Sequence, residues 1–577
     1  MRAGGLWVGT VGRCRRGGTL RYPSGIFRPL MAGLVAGVSA ASSFAAAQTP
    51  IEAPPSETQA PPPETAGAAN DSAMPSPSAP PVADRRFDIL EFVVDGNTAL
   101  SIVDVEEAVY PFLGESRNAG DVDKARDALE QSYRMRGFQT VQVAIPQQGI
   151  ETGIIHLQVV ENPIGRLRVV DSKYHSLDQI RRNAPSLAEG KVLNTNDVQK
   201  DIVALNQQPD LTVTPRLKAG QVPGTVDVDL QVEDKFPVHA NLEINNQHSQ
   251  HTSELRAVAS VGYDNLWQLG HSINLSYQIA PTNPDDAQVL SGTYLFRIPG
   301  SSVSVLGYAV KSDSDVAVVS GTDVVGRGEI FGGRAIINLP GTDKFFHSIT
   351  AGFDRKNMTQ KITTGGQLSD APVLYYPGTI AYAATWRDGE RVTQADASLN
   401  FALPIGSRSD KFDVQRFDAL RQYFYVKADL TQTIPLPASF ILYQKVTGQF
   451  TGDSLLSSEQ MSAGGANTVR GYLEAERLGD YGIIVSTEVR SPSFGSSISS
   501  SINDWRVIAF VDSAALAVRH PLPGEQSSFG IAGAGIGTRF TAFDKVNGAF
   551  DVAFALFDGA ATNAGSTHLH FRLWSGF

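Results

Sequence analysis

Apolar and polar residues alternate one by one through most of residues 235–577. The stretches 272–279, 481–490 and 550–556, for example, place an apolar side chain at every second position. A period of two is that of a β-strand with one apolar and one polar face. About sixteen such segments follow one another, near the roughly 20 residues per strand and turn of an outer-membrane barrel. Residues 235–577 therefore predict an antiparallel transmembrane β-barrel.

The connections between these segments differ in length in a regular way. Short links at 267–268, 299–301 and 389–390 alternate with long ones at 314–323, 359–375 and 453–479. Outer-membrane barrels have short periplasmic turns and long outer loops, whereas a soluble β-sandwich or β-helix needs no such asymmetry. The loop 453–479 is thus predicted on the outer side, between the eleventh and twelfth strands.

Residues 85–234 repeat one mixed α/β pattern twice, in the order β-α-α-β-β. The first copy has predicted strands at 87–94, 140–145 and 153–160 and helices at 103–113 and 121–135. The second has strands at 164–170, 211–217 and 225–232 and helices at 176–183 and 196–206. The copies end in similar phrases, Gly153 to Glu161 and Gly224 to Glu233. We predict two tandem domains, 85–162 and 163–234.

The N-terminal 84 residues carry export signals rather than a core. Residues 1–47 contain six arginines, no acid, an apolar run and the triplet Ala45-Ala46-Ala47, which is typical of a cleaved secretory signal peptide. The alternative is an N-terminal membrane anchor. Residues 48–84 are rich in proline and predict an extended linker. The single cysteine, Cys14, excludes an intramolecular disulfide.

Charge and motif content exclude several classes of function. Without the signal arginines, 42 basic residues stand against 59 acidic ones, so a nucleic-acid partner is not expected. His248 and His251 have loose metal-like spacing but no further ligands nearby, so no metal site is predicted. No catalytic serine, cysteine or paired-carboxylate arrangement has supporting context. We therefore expect neither an enzyme nor a cofactor.

Local motifs connect these parts to a known family. Val94-Asp95-Gly96-Asn97 in the first unit, Val469-Arg470-Gly471-Tyr472 in the long loop and Phe510-Val511-Asp512-Ser513-Ala514 in a later strand resemble two-partner secretion transporters, the haemolysin and filamentous-haemagglutinin exporters. The resemblance covers residues 85–577, and the two α/β units look like POTRA domains. It implies a mainly β fold, with two periplasmic β-α-α-β-β POTRA domains before a barrel of about sixteen strands. It also implies the outer membrane of a Gram-negative bacterium as the location.

The same resemblance implies a site inside the barrel. In the family the loop folds into the pore, and its arginine meets the aspartate of an F-x-D-x-G strand motif. The corresponding loop residues here are Thr468, Val469, Arg470, Gly471 and Tyr472. The wall partners are Asp512, with Phe510 on the same strand face, and Glu488 on the neighbouring strand. Ala514 replaces the closing glycine of the motif, which puts close loop packing there in doubt.

The implied function is export of an unfolded exoprotein, an adhesin or haemolysin, through the barrel. The strand Thr140, Val141, Gln142, Val143, Ala144 and Ile145 is predicted to lie at a sheet edge and to receive cargo as an added strand. Outer-membrane lipids are further expected partners, as is the barrel-assembly machinery through the terminal Phe577. Two alternatives stay open: a barrel insertase of the same superfamily and a passive porin.

Overall fold

The computed structural model describes residues 86–206, 208, 210–314, 316–319, 322–364 and 367–576. The predicted signal peptide (1–47), the linker (48–84) and Phe577 lie outside this described part. Among the described residues, no helix combines the length and apolar character needed to cross a membrane.

The first α/β unit contains two small sheets and two helices. Its elements are β1 (Phe87–Ile89), β2 (Glu91–Asp95), α1 (Ile102–Val109), β3 (Gly114–Arg117), α2 (Ala119–Met135), β4 (Gln142–Ala144) and β5 (Ile154–Val160). The sheet order is β2-β5-β4, and β1 pairs separately with β3. The helices begin at polar caps, Ser101 for α1 and an Asn118–Asp121 capping box for α2.

One predicted strand of this unit is wrong in detail. The stretch 87–94 was expected to be continuous, but it breaks at Leu90. The N–H groups of Leu90 and Glu91 both donate to the Gly153 carbonyl, at 2.8 and 3.2 Å. This local bend sends β1 to β3 and β2 to β5, a pairing that a period of two cannot predict.

The second unit repeats the plan with longer strands. Its elements are β6 (Ile164–Val170), α3 (Leu177–Arg182), α4 (Thr195–Asn206), β7 (Leu211–Ala219) and β8 (Val226–Asp234), in sheet order β6-β8-β7. The two units meet at Gly137, whose carbonyl accepts the Thr195 N–H at 2.9 Å. Gly137 has φ +96°, and a β-carbon there would lie 2.5 Å from the Asn194 side chain, so the position requires glycine.

Sixteen antiparallel strands close into one barrel, which confirms the predicted fold class. They are β9 (Val238–Asn245), β10 (Arg256–Leu266), β11 (His271–Ile279), β12 (Ala287–Arg297), β13 (Val303–Ser314), β16 (Arg327–Asn338), β17 (Phe345–Thr364), β18 (Gln367–Asp388), β19 (Arg391–Gly406), β20 (Phe424–Pro435), β21 (Ile441–Thr451), β24 (Tyr481–Arg490), β25 (Ile502–Ala517), β26 (Ser528–Ala542), β27 (Val546–Ala555) and β28 (Thr567–Gly576). Hairpins β14 (Val316–Val319) with β15 (Thr322–Val325), and β22 (Met461–Ala463) with β23 (Arg477–Gly479), belong to two connections.

Side chains alternate across the barrel wall as the sequence predicts. On β25, Ile508, Phe510, Asp512 and Ala514 are buried, whereas Val507, Ala509, Val511 and Ser513 are exposed. The exposed side also carries Leu275, Ile483 and Phe554 on other strands. The apolar outer face is thus the lipid face, and the polar inner face lines the lumen.

Two of the predicted long loops are instead strands. The pairing of β17 with β18 continues to Thr364 and Gln367, across most of the predicted loop 359–375. The predicted loop 314–323 contains the β14–β15 hairpin. Residues 359–364 are rich in threonine, and β-branched residues favour extended backbone, so strand pairing continues through residues that were predicted as loop. The short connection at Trp267 and Gln268 is a tight turn, with φ of 62° and 56°.

Candidate functional site: a loop inside the barrel

The connection between β21 and β24, the eleventh and twelfth barrel strands, folds back into the lumen. Its β22–β23 hairpin leads to a tip that carries Val469, Arg470 and Tyr472, all buried. Val469 and Tyr472 pack in one apolar cluster with wall residues of β24, β25, β26 and β27; these are Ile484, Ala514, Leu516, Ile531 and Ala555. The loop therefore fills the lumen beside four consecutive strands.

Arg470 is bound on three sides by the wall. Its Nε lies 2.7 Å from Asp512 Oδ2 and its Nη2 lies 2.9 Å from Asp512 Oδ1, a two-pronged contact. Its Nη1 donates to Glu488 Oε1 at 2.7 Å. The guanidinium carbon stands 3.5 Å from the centre of the Phe510 ring. The structure thus brings together Arg470, Asp512, Glu488 and Phe510.

Further charged residues extend this contact into a balanced network. Arg490 binds Glu488 Oε2 at 2.9 and 2.7 Å, and Arg539 binds Asp551 at 2.7 and 2.8 Å. Asp551 Oδ2 is also 3.6 Å from Arg470 Nη1. Three arginines thereby face three carboxylates, which offsets the cost of removing each charge from water. The sequence did not lead us to Arg490, Arg539 and Asp551 as partners in this network. All three occupy strand positions whose side chains face the lumen, and the alternation of the strands could have identified them.

The other residues of the predicted loop motif fasten the tip through neutral groups. The Gly471 N–H donates to His570 Nε2 at 3.0 Å, and Gly471 has φ +100°, a conformation that favours glycine. The Tyr472 hydroxyl lies 2.8 Å from the Phe557 carbonyl oxygen and 2.9 Å from that of Ala532. Thr468 Oγ1 donates to the Gly464 carbonyl at 2.8 Å at the base of the tip.

Small wall residues make room for this tip. A β-carbon on Gly533 would lie 1.9 Å from the Arg470 carbonyl oxygen, and one on Gly537 would lie 1.8 Å from Asp551 Oδ1. Ala514, where the family motif has glycine, is a buried member of the Val469–Tyr472 cluster. The loop packs closely against it, so the doubt raised by this departure does not apply to the described structure.

A second wall contact holds the loop near its start. The buried Glu459 accepts from Lys356 Nζ at 2.6 Å and from the Tyr375 hydroxyl at 2.7 Å, both through Oε1. The Tyr425 hydroxyl donates to its other oxygen at 3.0 Å. These partners belong to β17, β18 and β20, whereas the partners of Arg470 belong to β24, β25 and β27. The loop thus spans the lumen between two groups of strands.

The carboxylate of Asp480 holds the start and the end of the loop together. Asp480 is fully buried and accepts both Nη groups of Arg416, at 2.8 and 2.7 Å. It also accepts the Leu455 N–H at 3.0 Å, which joins the start of the loop to its end. Arg416 directly follows α5 (Ser409–Gln415), in the connection between β19 and β20. A second connection, which sequence reasoning missed, therefore fastens the loop in place.

The predicted cargo-binding strand is shorter than expected. Only Gln142–Ala144 is β-strand, and it forms the edge of the sheet β2-β5-β4. Thr140 and Val141 lie in the turn that follows α2, where the Val141 N–H donates to the Phe138 carbonyl at 3.4 Å. The Val143 N–H donates to Glu130 Oε2 at 3.4 Å, so a side chain of α2 occupies part of the edge. Ile145 lies beyond the strand.

Among the described residues, one group has side chains of the types that bind metal ions: Asp210, His239 and Asp264. His239 Nε2 lies 2.5 Å from Asp210 Oδ2 and 3.6 Å from Asp264 Oδ2. These contacts are explained as hydrogen bonding between the second α/β unit and the first barrel strands.

A closed barrel, two α/β units before it and a lumenal loop fixed by an arginine define the class of POTRA-barrel transporters. The family model of the ShlB-type POTRA domain matches residues 87–162, and that of the haemolysin secretion/activation protein ShlB/FhaC/HecB matches residues 371–540. Residues 87–162 and 371–540 thus match the POTRA domain and the barrel region of two-partner secretion transporters, and the chain lies in the outer membrane. Its POTRA region lies in the periplasm.

Similar proteins match most of the chain at low sequence identity. Outer membrane transporter CdiB of Dickeya dadantii is 23% identical over 69% of this chain and 71% of its own length. Heme/hemopexin transporter protein HuxB of Haemophilus influenzae is 20% identical over 70% of this chain and 73% of its own. Solved CdiB structures from Escherichia coli and Acinetobacter baumannii match with TM-scores of 0.65 and 0.60 at 19% and 14% identity. They cover 87% and 85% of this chain, and 93% and 90% of their own chains, and they show the fold.

Proposed function

We propose that this protein recognises an unfolded exoprotein through its periplasmic POTRA units and exports it through the barrel lumen. The observation that carries the proposal is the loop 453–479, which occupies the lumen and is fastened to the wall mainly by polar contacts. A barrel of sixteen strands can enclose an aqueous channel, so a loop that occupies this lumen must move before a polypeptide passes.

The polar contacts between the loop and the barrel wall suit a loop that leaves the lumen and later returns to it. An apolar plug loses its burial when it leaves the wall, and that loss is not recovered in water. The charges of Arg470, Glu488 and Asp512 are different, because each regains hydration when water enters the lumen. Displacement by an incoming chain therefore costs less than the number of contacts suggests.

Capture of the cargo is assigned to the edge of the first POTRA sheet. Gln142 and Ala144 are exposed on strand β4, and strand addition there requires only backbone hydrogen bonds. Such bonds suit an unfolded chain of any sequence. Because Glu130 occupies the Val143 N–H, we expect the cargo to displace this side chain when it binds.

In vivo crosslinking tests the proposal. A photoreactive residue at Gln142 should capture one large exoprotein, whereas the same residue at the exposed Glu107 of helix α1 should capture far less. Capture of many barrel precursors at Gln142 would favour a barrel insertase. Equal capture at Gln142 and Glu107 would show that the edge strand β4 has no specific role in cargo binding.

A further inference from the structure

The junction between the second POTRA unit and the barrel carries exposed aromatic side chains. Phe236, which follows β8, is 60% exposed, and Tyr174, which lies between β6 and α3, is 40% exposed. Their rings meet edge to face with centroids 5.6 Å apart. Trp267, at the turn between β10 and β11, is 71% exposed, and Leu269 in the same turn is also exposed. Aromatic residues exposed in this number at one end of a barrel need a partner.

This group continues the lipid face of the barrel. On β9, Leu242 and Ile244 are exposed to lipid, whereas Glu243 and Asn245 are buried on the lumenal side. Phe236 lies two residues before β9 begins, so it stands at the periplasmic end of this apolar band. Aromatic side chains collect at that depth in membrane proteins.

Hydrogen bonds hold Tyr174 at the rim of the barrel. Its carbonyl oxygen accepts hydrogen bonds from Asn265 Nδ2 at 3.2 Å, at the end of β10, and from Gln268 Nε2 at 3.0 Å, in the turn that carries Trp267. The Ser176 N–H donates to Gln268 Oε1 at 2.9 Å. On the other side, Asp234 accepts the Tyr174 N–H at 2.7 Å. The position of the aromatic pair relative to the membrane is therefore set by the barrel itself.

Two lysines complete the pattern. Lys173 precedes Tyr174, Lys235 precedes Phe236, and both are exposed. Neither makes an ion pair within the described part of the chain, although the protein as a whole has a net charge of −11. Lysine beside an aromatic residue is the usual combination at a lipid headgroup region, where the ring enters the interface and the ammonium meets phosphate.

We propose that Tyr174, Phe236 and Trp267 form a membrane foot that inserts into the periplasmic leaflet, with Lys173 and Lys235 on phospholipid headgroups. The partner is the bilayer itself, because the patch is continuous with the lipid face of β9. The foot would hold the second POTRA unit against the membrane beside the first barrel strands. This inference rests on the outer-membrane location and not on the proposed export.

Fluorescence quenching by lipid tests the foot without any cargo. Cys14 is the only cysteine, so a Cys14→Ser background allows single labels at Phe236→Cys and, separately, at Trp267→Cys. The label is an environment-sensitive dye, and the full chain is refolded into phosphatidylethanolamine–phosphatidylglycerol vesicles with or without bromine on the acyl chains. Tyr110→Cys, on an exposed position of the first POTRA unit, is the control. Refolding is checked by the shift in gel migration on heating.

Brominated lipid should lower the emission about twofold at positions 236 and 267 and leave position 110 unchanged, because an interfacial label lies within reach of the acyl chains. Quenching at 236 and 267 by aqueous iodide, with no effect of bromine, would overturn the proposal. Emission that depends on the protein-to-lipid ratio and not on bromine would assign the patch to contact between copies of this chain, and would also overturn it.

Discussion

Arg470 holds both carboxylate oxygens of Asp512, through Nε at 2.7 Å and Nη2 at 2.9 Å, with the two side chains only 3% and 0% exposed. The tip of the lumenal loop is therefore tied to the thirteenth barrel strand by a contact that water does not reach. Asp512 also accepts the Arg470 backbone N–H at 3.1 Å, so the loop backbone and the side chain share one anchor.

Replacement of Arg470 by Ala should release the loop. It leaves Glu488 and Asp512 buried with fewer counter-charges, and the loss of one partner from a buried ion pair costs about 3–5 kcal/mol. We expect a larger ion conductance in planar bilayers and impaired export of the partner. Arg408→Ala is the matched control, since that arginine side chain is 88% exposed. Export and conductance at wild-type levels in Arg470→Ala would show that the contact has no role.

Gly533→Ala should displace the tip without a change of charge. The added methyl group would stand 1.9 Å from the Arg470 carbonyl oxygen, too close for any real contact, so the loop backbone must shift. Gly530→Ala on the same strand adds the same group, but its nearest neighbour, the Ala514 carbonyl oxygen, is 3.9 Å away. Protease cleavage within 464–476 should therefore rise in the first variant and stay unchanged in the second. Similar cleavage in both would contradict the described packing.

The Glu459 contact predicts a double-mutant result. Glu459→Gln leaves Lys356, whose side chain is only 18% exposed, without its counter-charge, so this variant should loosen the loop. Lys356→Met combined with Glu459→Gln removes both charges and should restore part of the loss, because breaking a buried pair costs more than replacing it. Conductance of these two variants and of Lys356→Met alone, each compared with wild type, measures the difference. Additive effects of the two substitutions would mean that the pair does not act as a unit.

Acid should weaken the second POTRA unit through Asp229. Arg168 binds this carboxylate at 2.8 Å on both oxygens and Lys218 binds it at 2.5 Å; these bonds lower the pKa of Asp229 from its ordinary 3.8 to about 2. The contribution to stability is therefore complete above pH 3.8 and disappears as the pH falls through about 2. Hydrogen exchange of the β6 and β8 amides should be faster in Asp229→Asn than in wild type above pH 3.8.

The difference between Asp229→Asn and wild type should shrink as the pH falls below that value. A difference that persists unchanged in acid would assign the effect of the substitution to packing. Asp227→Asn on the same strand is the control, since the described structure gives Asp227 no hydrogen-bonded cation.

The sequence predicted those parts of the site that follow from the alternation of side chains between the two faces of a strand. Phe510, Asp512 and Glu488 have lumenal parity on two neighbouring strands, so their common face followed from the alternation. The edge position of β4 also agrees with the expectation, but its length does not, because the turn after α2 takes up Thr140 and Val141. The role of this edge in cargo capture stays a prediction.

By itself the sequence determined the barrel, an approximate number of strands, the position of the loop 453–479 in the strand order and the face on which Asp512 stands. A period of two and the lengths of connections are local properties, and they are sufficient for these features. Only the tertiary structure decided that Glu459 forms an ion pair with Lys356 and that Arg416 forms one with Asp480 at the end of the loop. These contacts join connections that are far apart along the chain, and the path of an irregular loop depends on the side chains it meets in the lumen, which no local period encodes.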